Sequence, residues 1–132
     1  MRVIGQIDVD ATVKVVACGR IGLGISYILT PGLALRLWPG RQAGTETDGA
    51  MLRMMARSTG GRDIGLGLGV LLAQKHDSPV RGWLEAAMLA DVADAIAIAI
   101  AFRHLPRVKA VLMLGAALGT AAAGRKLASA VG

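Results

Sequence analysis

The chain has 132 residues, of which 54% are hydrophobic and 18% charged, and its mean hydropathy is +0.54. This apolar content excludes intrinsic disorder. The 18 glycines and only 3% aromatic residues argue against a β-sandwich or barrel, whose strands favour β-branched and aromatic side chains. The length suits one domain. The composition therefore favours a small helical membrane protein, in which small residues let helices approach closely.

The positive net charge does not predict a nucleic-acid partner. Fifteen Lys and Arg residues against nine Asp and Glu residues give +6, but the basic residues are scattered between apolar segments without interleaved aromatics. We therefore expect anionic lipid headgroups as counter-ions and no nucleic acid. The single cysteine cannot form an internal disulfide, and no Cys-x-x-Cys pair is present. Neither a metal site nor a cofactor is predicted.

Four apolar segments predict four helices in chain order. The first spans about 11–35, with a kink expected near Pro31-Gly32, and precedes the turn-forming sequence Trp38-Pro39-Gly40. A polar loop leads into the second, at about 50–74. The third covers about 80–102, and the fourth covers about 108–130, close after the helix opener Pro106. Each can hold the ~20 residues that cross a bilayer. We predict an all-α, four-helix transmembrane bundle in which residues 1–132 form a single integral membrane domain.

A soluble helical bundle is the alternative, because no segment is free of charge over the ~18 residues that a strict membrane span needs. The longest uncharged stretches are Ile21–Leu35 and Ala110–Gly124. Three features favour the membrane. Trp38 and Trp83 lie at predicted helix ends, as in an aromatic belt. The helices lack a charged stripe along their outer parts, and the fourth has no polar face.

We expect a multi-pass protein of the inner (cytoplasmic) membrane. The segment Met1–Asp10 lacks the basic-then-apolar order of a cleaved signal peptide, so the first helix is expected to act as its own insertion signal. Lys and Arg residues are balanced between the two sides of the predicted bundle. The positive-inside rule therefore predicts no orientation.

Five charged residues are expected near the middle of the predicted spans: Arg20, Arg62, Asp63, Asp91 and Asp94. Two aspartates at the centre of the third helix cost ~5–7 kcal/mol on insertion, whereas its large apolar residues return only ~2–4 kcal/mol. That helix therefore needs partners, and the two arginines are available. Because the five charges sum to one net negative charge, we expect Asp91 and Asp94 to share a proton.

This cluster predicts a polar site within the bilayer. Asp91, Asp94 and Asp63 are the candidate catalytic acids and bases, and Arg20 and Arg62 are the candidate substrate-binding residues. The expected partner is a lipophilic small molecule, and the expected chemistry is isomerisation, epoxide opening or proton-coupled transfer.

The alternative hypothesis is a non-catalytic membrane subunit or scaffold whose buried ion pairs hold the bundle together. Glycines repeat at the spacing of close helix packing, and such faces can also dock another protein. On either hypothesis we expect a homo-oligomer or a larger membrane complex. The glycines in question are Gly61, Gly65 and Gly69, together with Gly115 and Gly119.

Several motifs resemble small four-helix bacterial membrane proteins of domain-of-unknown-function families, which are loosely similar to DoxX-like proteins. The resemblance covers roughly residues 14–103 and implies a four-helix membrane fold. It brings no established reaction, and the fourth helix carries no matching motif. The motifs are Gly19-Arg20-Ile21-Gly22-Leu23-Gly24, Thr30-Pro31, Gly61-Arg62-Asp63-Ile64-Gly65, Trp83 and Asp91-Val92-Ala93-Asp94.

Overall fold

A computed structural model of the chain describes residues 3–4, 7–33 and 46–131. This part of the chain is almost entirely helical, which confirms the predicted all-α fold class. A hairpin of two-residue antiparallel strands precedes the first helix. The elements are β1 (Val3–Ile4), β2 (Ile7–Asp8), α1 (Val9–Leu29), α2 (Glu46–Lys75), α3 (Arg81–Ala101), a 3₁₀ turn (Phe102–His104) and α4 (Arg107–Val131).

The first helix has defined ends. The Asp8 carboxylate caps its start, accepting hydrogen bonds from the backbone N–H groups of Asp10 at 3.0 Å and Ala11 at 3.2 Å. At the other end, the N–H of Thr30 donates to the Ser26 carbonyl at 2.9 Å. The next residue is Pro31, which has no N–H with which to extend the ladder. Residues 31–33 are helical again, so the helix is interrupted at Thr30, close to the kink expected near Pro31-Gly32, and α1 itself ends at Leu29.

The other predicted boundaries differ less. The second helix begins at Glu46, so the final part of the predicted polar loop is helical. The ends of α3 and α4 lie within one residue of the predicted ends. Residues 34–45, including Trp38, lie outside the described residues.

The bundle consists of two antiparallel helical hairpins, one formed by α1 and α2 and the other by α3 and α4. Glycines allow close contact in the first hairpin. A Cβ on Gly24 would lie 2.5 Å from the carbonyl oxygen of Gly60, and a Cβ on Gly67 would lie 2.7 Å from that of Ala17. Only glycine fits at such distances, so these positions determine how closely α1 and α2 approach.

The glycine repeat singled out in the sequence does not mediate packing within the described bundle, except at one position. A Cβ at Gly61, Gly65, Gly115 or Gly119 would have no neighbour within 4 Å, whereas Gly69 lies directly against the ring of Trp83. Successive helix residues rotate by about 100°. The face of α2 that meets α1 is therefore one residue out of step with the repeat, and the packing prediction is wrong for those four glycines.

An apolar core closes one end of the bundle. All four helices contribute to it, since the beginnings of α1 and α3 meet the ends of α2 and α4. Most of the remaining large apolar side chains face outward from the bundle. The buried core residues are Val9, Val13, Ala17, Val70, Leu84 and Ala128.

In the part of the chain that the structure describes, two helices, α1 and α4, are long and apolar enough to cross a membrane. Only 17% of the apolar window of each is buried in the bundle, whereas the core helix of a soluble protein is mostly buried. Large apolar surfaces left open in this way are typical of contact with lipid or with another protein.

Candidate functional site

The five charged residues expected at one depth form a connected network of ion pairs, so their predicted convergence is confirmed. Three helices supply them: α1 supplies Arg20, α2 supplies the adjacent Arg62 and Asp63, and α3 supplies Asp91 and Asp94. Arg20 makes two contacts, with 2.9 Å between its Nη1 and Asp63 Oδ1 and 2.5 Å between its Nη2 and Asp91 Oδ2. Arg62 makes three, with 2.8 Å between Nη2 and Asp94 Oδ2, 3.1 Å between Nη1 and Asp94 Oδ1, and 3.4 Å between Nη2 and Asp63 Oδ1.

The buried half of this network is an inner triad, Arg20 with Asp63 and Asp91. One guanidinium lies between two carboxylates, and each of the three side chains is no more than 13% exposed. Charged hydrogen bonds of this kind are roughly twice as strong as neutral ones. Arg20 donates to both carboxylates, but the triad carries one net negative charge.

The more accessible half is an outer pair, Arg62 with Asp94. Both carboxylate oxygens of Asp94 accept from the guanidinium, which is the bidentate geometry that arginine favours. The side chains are 33% and 44% exposed, so this pair lies at the open edge of the network. Nε of Arg62 is buried and has no hydrogen-bond partner among the described residues.

The sequence spacing explains why these side chains separate into two groups. Arg62 and Asp63 are consecutive, so they point about 100° apart around α2, and only one of them can face α1. Asp91 and Asp94 are three residues apart and share a side of α3. The two aspartates bind different arginines. Their expected sharing of a proton stays a prediction.

The network connects the two hairpins. Both arginines belong to the α1–α2 hairpin, and their partners Asp91 and Asp94 belong to α3. Apart from these bonds, α2 and α3 contact each other far less than the helices within either hairpin do. Removing one member would therefore leave an unpaired charge at the junction of the hairpins.

A cavity of about 520 Å³ lies beside the network, and all five of its charged residues line the wall. The rest of the lining is mostly aliphatic and comes from all four helices. Leu23, one of the lining residues, is 59% exposed, so the cavity is open to the surroundings of the bundle. A cavity of this size, largely apolar with a few polar groups, suits a small organic molecule.

Three polar lining residues were not identified from the sequence: Tyr27, Thr59 and Thr120. Tyr27 lies seven residues after Arg20, and Thr59 lies four residues before Asp63. Helical spacing from the charged residues therefore places both on the cavity side of their helices. No such signal marks Thr120, because α4 contributes no charged residue to the site. Its hydroxyl donates to backbone carbonyls of its own helix.

A second cavity, of about 620 Å³, lies where α1 begins and α2 ends. Its lining includes Asp10, Lys14 and Gln74, and none of the five network residues. The Nε2 of Gln74 donates to the carbonyl of Asp10 at 3.2 Å, which leaves the side-chain oxygen Oε1 buried without a partner among the described residues. The predicted site residues therefore all belong to the first cavity.

Within the described ranges, no group of three or more His, Cys, Asp or Glu residues is arranged to hold a metal ion. The groups of the network that could bind a metal ion are carboxylates, and these are already bound to arginines. This favours organic ligands over cations of high charge density.

Comparison of the chain with protein-family models, curated proteins and solved structures finds no match. The resemblance to DoxX-like families therefore remains an expectation.

Proposed function

We propose that this protein is a four-helix integral membrane protein that binds a lipophilic small molecule in the cavity beside the charge network. The observation that carries the proposal is that a mostly aliphatic cavity of about 520 Å³ is lined by the partly exposed outer pair, Arg62 and Asp94. A molecule with an apolar body and a polar group matches both parts of this lining. Ionisable residues at membrane depth are costly and for that reason commonly functional.

A membrane location for all four helices is part of the proposal. α2 and α3 carry four of the five network charges, but these charges bind one another and Arg20 of α1 inside the bundle. The outer surface of α3 is apolar, as Leu89, Ile96 and Ile100 illustrate with exposures of 55–76%. This supports a multi-pass protein of the inner membrane, resembling the DoxX-like pattern.

Reporter fusions test the membrane arrangement. Four spans require both termini and the connection at 76–80 to share one side of the membrane, with the connection at 102–106 on the other side. Alkaline phosphatase and green fluorescent protein fused at each of these places report the side directly. Two spans only, α1 and α4, would give a different pattern and would contradict the four-span arrangement.

Within the site, the five residues divide into two roles under this proposal. Arg62 and Asp94 border the open cavity and contact the bound molecule, with Asp94 as the carboxylate that exchanges a proton. Arg20, Asp63 and Asp91 hold the outer pair in place. Isomerisation, epoxide opening and proton-coupled transfer can all use an accessible carboxylate as the proton-exchanging group, and the outer pair supplies one.

Native mass spectrometry of the purified protein with the neutral lipophile N-phenyl-1-naphthylamine tests the binding function. We expect one probe molecule per chain. Ala117→Phe places a ring in the cavity wall and should abolish the complex, whereas Ala122→Phe, on the same helix but outside the lining, should not. Equal binding by the two variants would rule out this cavity as the site.

A second candidate function is a scaffold in which the network only joins the hairpins. The ion pairs that connect the α1–α2 hairpin to α3 favour it. The open glycines Gly61, Gly65, Gly115 and Gly119 leave room for a second copy or for another helix. The substitutions Asp91→Asn and Asp94→Asn separate the two candidates, because a scaffold loses assembly, above all in Asp91→Asn, whereas a binding protein loses its ligand in Asp94→Asn and still assembles.

A further inference from the structure

We infer that the preferred ligand of the cavity is a lipophilic cation, such as a hydrophobic amine or a quaternary ammonium or phosphonium ion, and that it competes with protons. This inference rests on the proposed binding function and specifies its ligand class. Three observations carry it: the charge balance of the network, the position of the outer pair and the aromatic residue in the cavity wall.

The first observation is the net charge of the network. The network contains three carboxylates and two guanidinium groups. An uncompensated charge is strongly disfavoured away from water, so the site needs one further positive charge. A proton on a carboxylate supplies that charge, and so does a cationic ligand. Because either one neutralises the site, binding of the cation displaces the proton.

The second observation is the position of the outer pair in the cavity wall. The two carboxylates of the inner triad share Arg20 and are almost fully covered. The outer carboxylate, Asp94, is 44% exposed and lines the cavity. A cation in the cavity therefore reaches Asp94 first. When a cation binds Asp94, Arg62 keeps a carboxylate partner, because its guanidinium also lies 3.4 Å from Asp63.

The third observation is the chemistry of the wall. Tyr27, the single tyrosine of the chain, lines the same cavity as Asp94. Aromatic rings attract organic cations through the negative face of the ring, and rings combined with carboxylates are typical of quaternary ammonium sites. The aliphatic remainder of the wall suits the apolar substituents of such an ion and excludes small hydrated cations.

The ionisable groups that face Asp94 come from three helices, and α4 contributes only the hydroxyl of Thr120 among its polar side chains in the lining. Lowering the pH neutralises carboxylates and leaves the arginines charged, so acidification weakens cation binding. The ionisable groups of the lining are Arg20 and Tyr27 on α1, Arg62 and Asp63 on α2, and Asp91 and Asp94 on α3.

The test compares two ions of nearly the same shape and opposite charge, tetraphenylphosphonium and tetraphenylborate. Equilibrium dialysis of each ion against the purified protein in uncharged detergent, with protein-free micelles as the blank, gives the affinity. We expect saturable binding of the phosphonium ion and none of the borate ion. Asp94→Asn should weaken phosphonium binding about tenfold or more.

Further variants protect the result from a folding artefact. Arg62→Gln makes the network more negative and should tighten phosphonium binding, which is the opposite sign from Asp94→Asn. Glu85→Gln removes one negative charge from the same helix as Asp94, but outside the cavity lining, and should leave the affinity unchanged. Acidification should weaken binding to the wild type more than binding to Asp94→Asn.

Two results would overturn the cation preference. One is equal binding of the phosphonium and borate ions, and the other is an affinity for phosphonium that does not respond to Asp94→Asn. If the neutral probe still binds and is lost in Ala117→Phe, the binding function stands and only the cation inference fails. If no probe depends on Ala117, the binding function itself fails.

Discussion

Arg20 of α1 donates a hydrogen bond of 2.5 Å to Asp91 of α3, although the two residues are 71 positions apart in the chain. Arg20 also binds Asp63 of α2, so the guanidinium of this one residue links three of the four helices. This arrangement places a charged junction between two separately packed hairpins and makes one wall of the cavity.

Removing Arg20 should be among the most destabilising substitutions in the chain. Arg20→Met leaves two buried carboxylates without their shared cation, and breaking a buried ion pair in this way costs roughly 3–5 kcal/mol. The exposed pair Arg81–Glu85, with 2.7 Å between Nε and Oε1, provides the matched control. Arg81→Met should cost about 1 kcal/mol or less. The free energy of unfolding in mixed micelles gives the loss of stability for each variant. Equal losses in Arg20→Met and Arg81→Met would contradict the structural role of the triad.

The two aspartates of α3 should differ in the same assay. Asp91→Asn affects a side chain that is 9% exposed and bound to Arg20, whereas Asp94→Asn affects one that is 44% exposed. Breaking a buried ion pair costs more than breaking a partly exposed one, so Asp91→Asn should lower the free energy of unfolding more than Asp94→Asn does. The reverse order would show that the outer pair, and not the inner triad, joins the hairpins.

Adjacent glycines of α2 should respond in opposite directions to the same substitution. A Cβ on Gly60 would lie 2.5 Å from the carbonyl oxygen of Gly24, so Gly60→Ala should push α1 and α2 apart and cost about 1–3 kcal/mol. Gly61→Ala meets open space and should be neutral or stabilise α2 by up to about 1 kcal/mol. Thermal unfolding of the two variants checks this directly. A stable Gly60→Ala protein would contradict the close approach of α1 and α2.

The packing of Trp83 on Gly69 should be visible by fluorescence. Gly69→Ala places a methyl group where the indole ring lies, so the ring has to move and its emission should change. A Trp38→Phe background leaves Trp83 as the only tryptophan. Gly65→Ala, one turn earlier and without a neighbour within 4 Å, is the control and should leave the emission spectrum unaltered.

The helical content and the convergence of the charges were predictable for a common reason. Long apolar segments interrupted by Pro and Gly predict helices whatever their partners, and unpaired charges within such segments have to find one another. Arg20, Arg62, Asp63, Asp91 and Asp94 were therefore expected together. The end of α1 was less predictable, because the apolar segment continues past Leu29, where α1 ends ahead of Thr30 and Pro31.

The glycines show what a local pattern cannot reveal. Gly61 and Gly65 match the spacing of helix packing, yet Gly24, Gly60 and Gly67 mediate the contact between α1 and α2. Spacing identifies a face of a helix that is able to pack. Which face does so depends on how the helix is rotated relative to its neighbour, and that rotation results from all the contacts of the bundle together.

The helical class, the membrane-like composition and the excess of one carboxylate in the cluster were predictable from the amino-acid sequence, because these depend only on residue type and helical period. The pairing was not predictable in this way: Arg20 binds Asp63 and Asp91 in a buried triad, whereas Arg62 and Asp94 border an open cavity. Pairing and exposure depend on the relative rotation and separation of helices distant in the chain, and these follow from packing across all four helices.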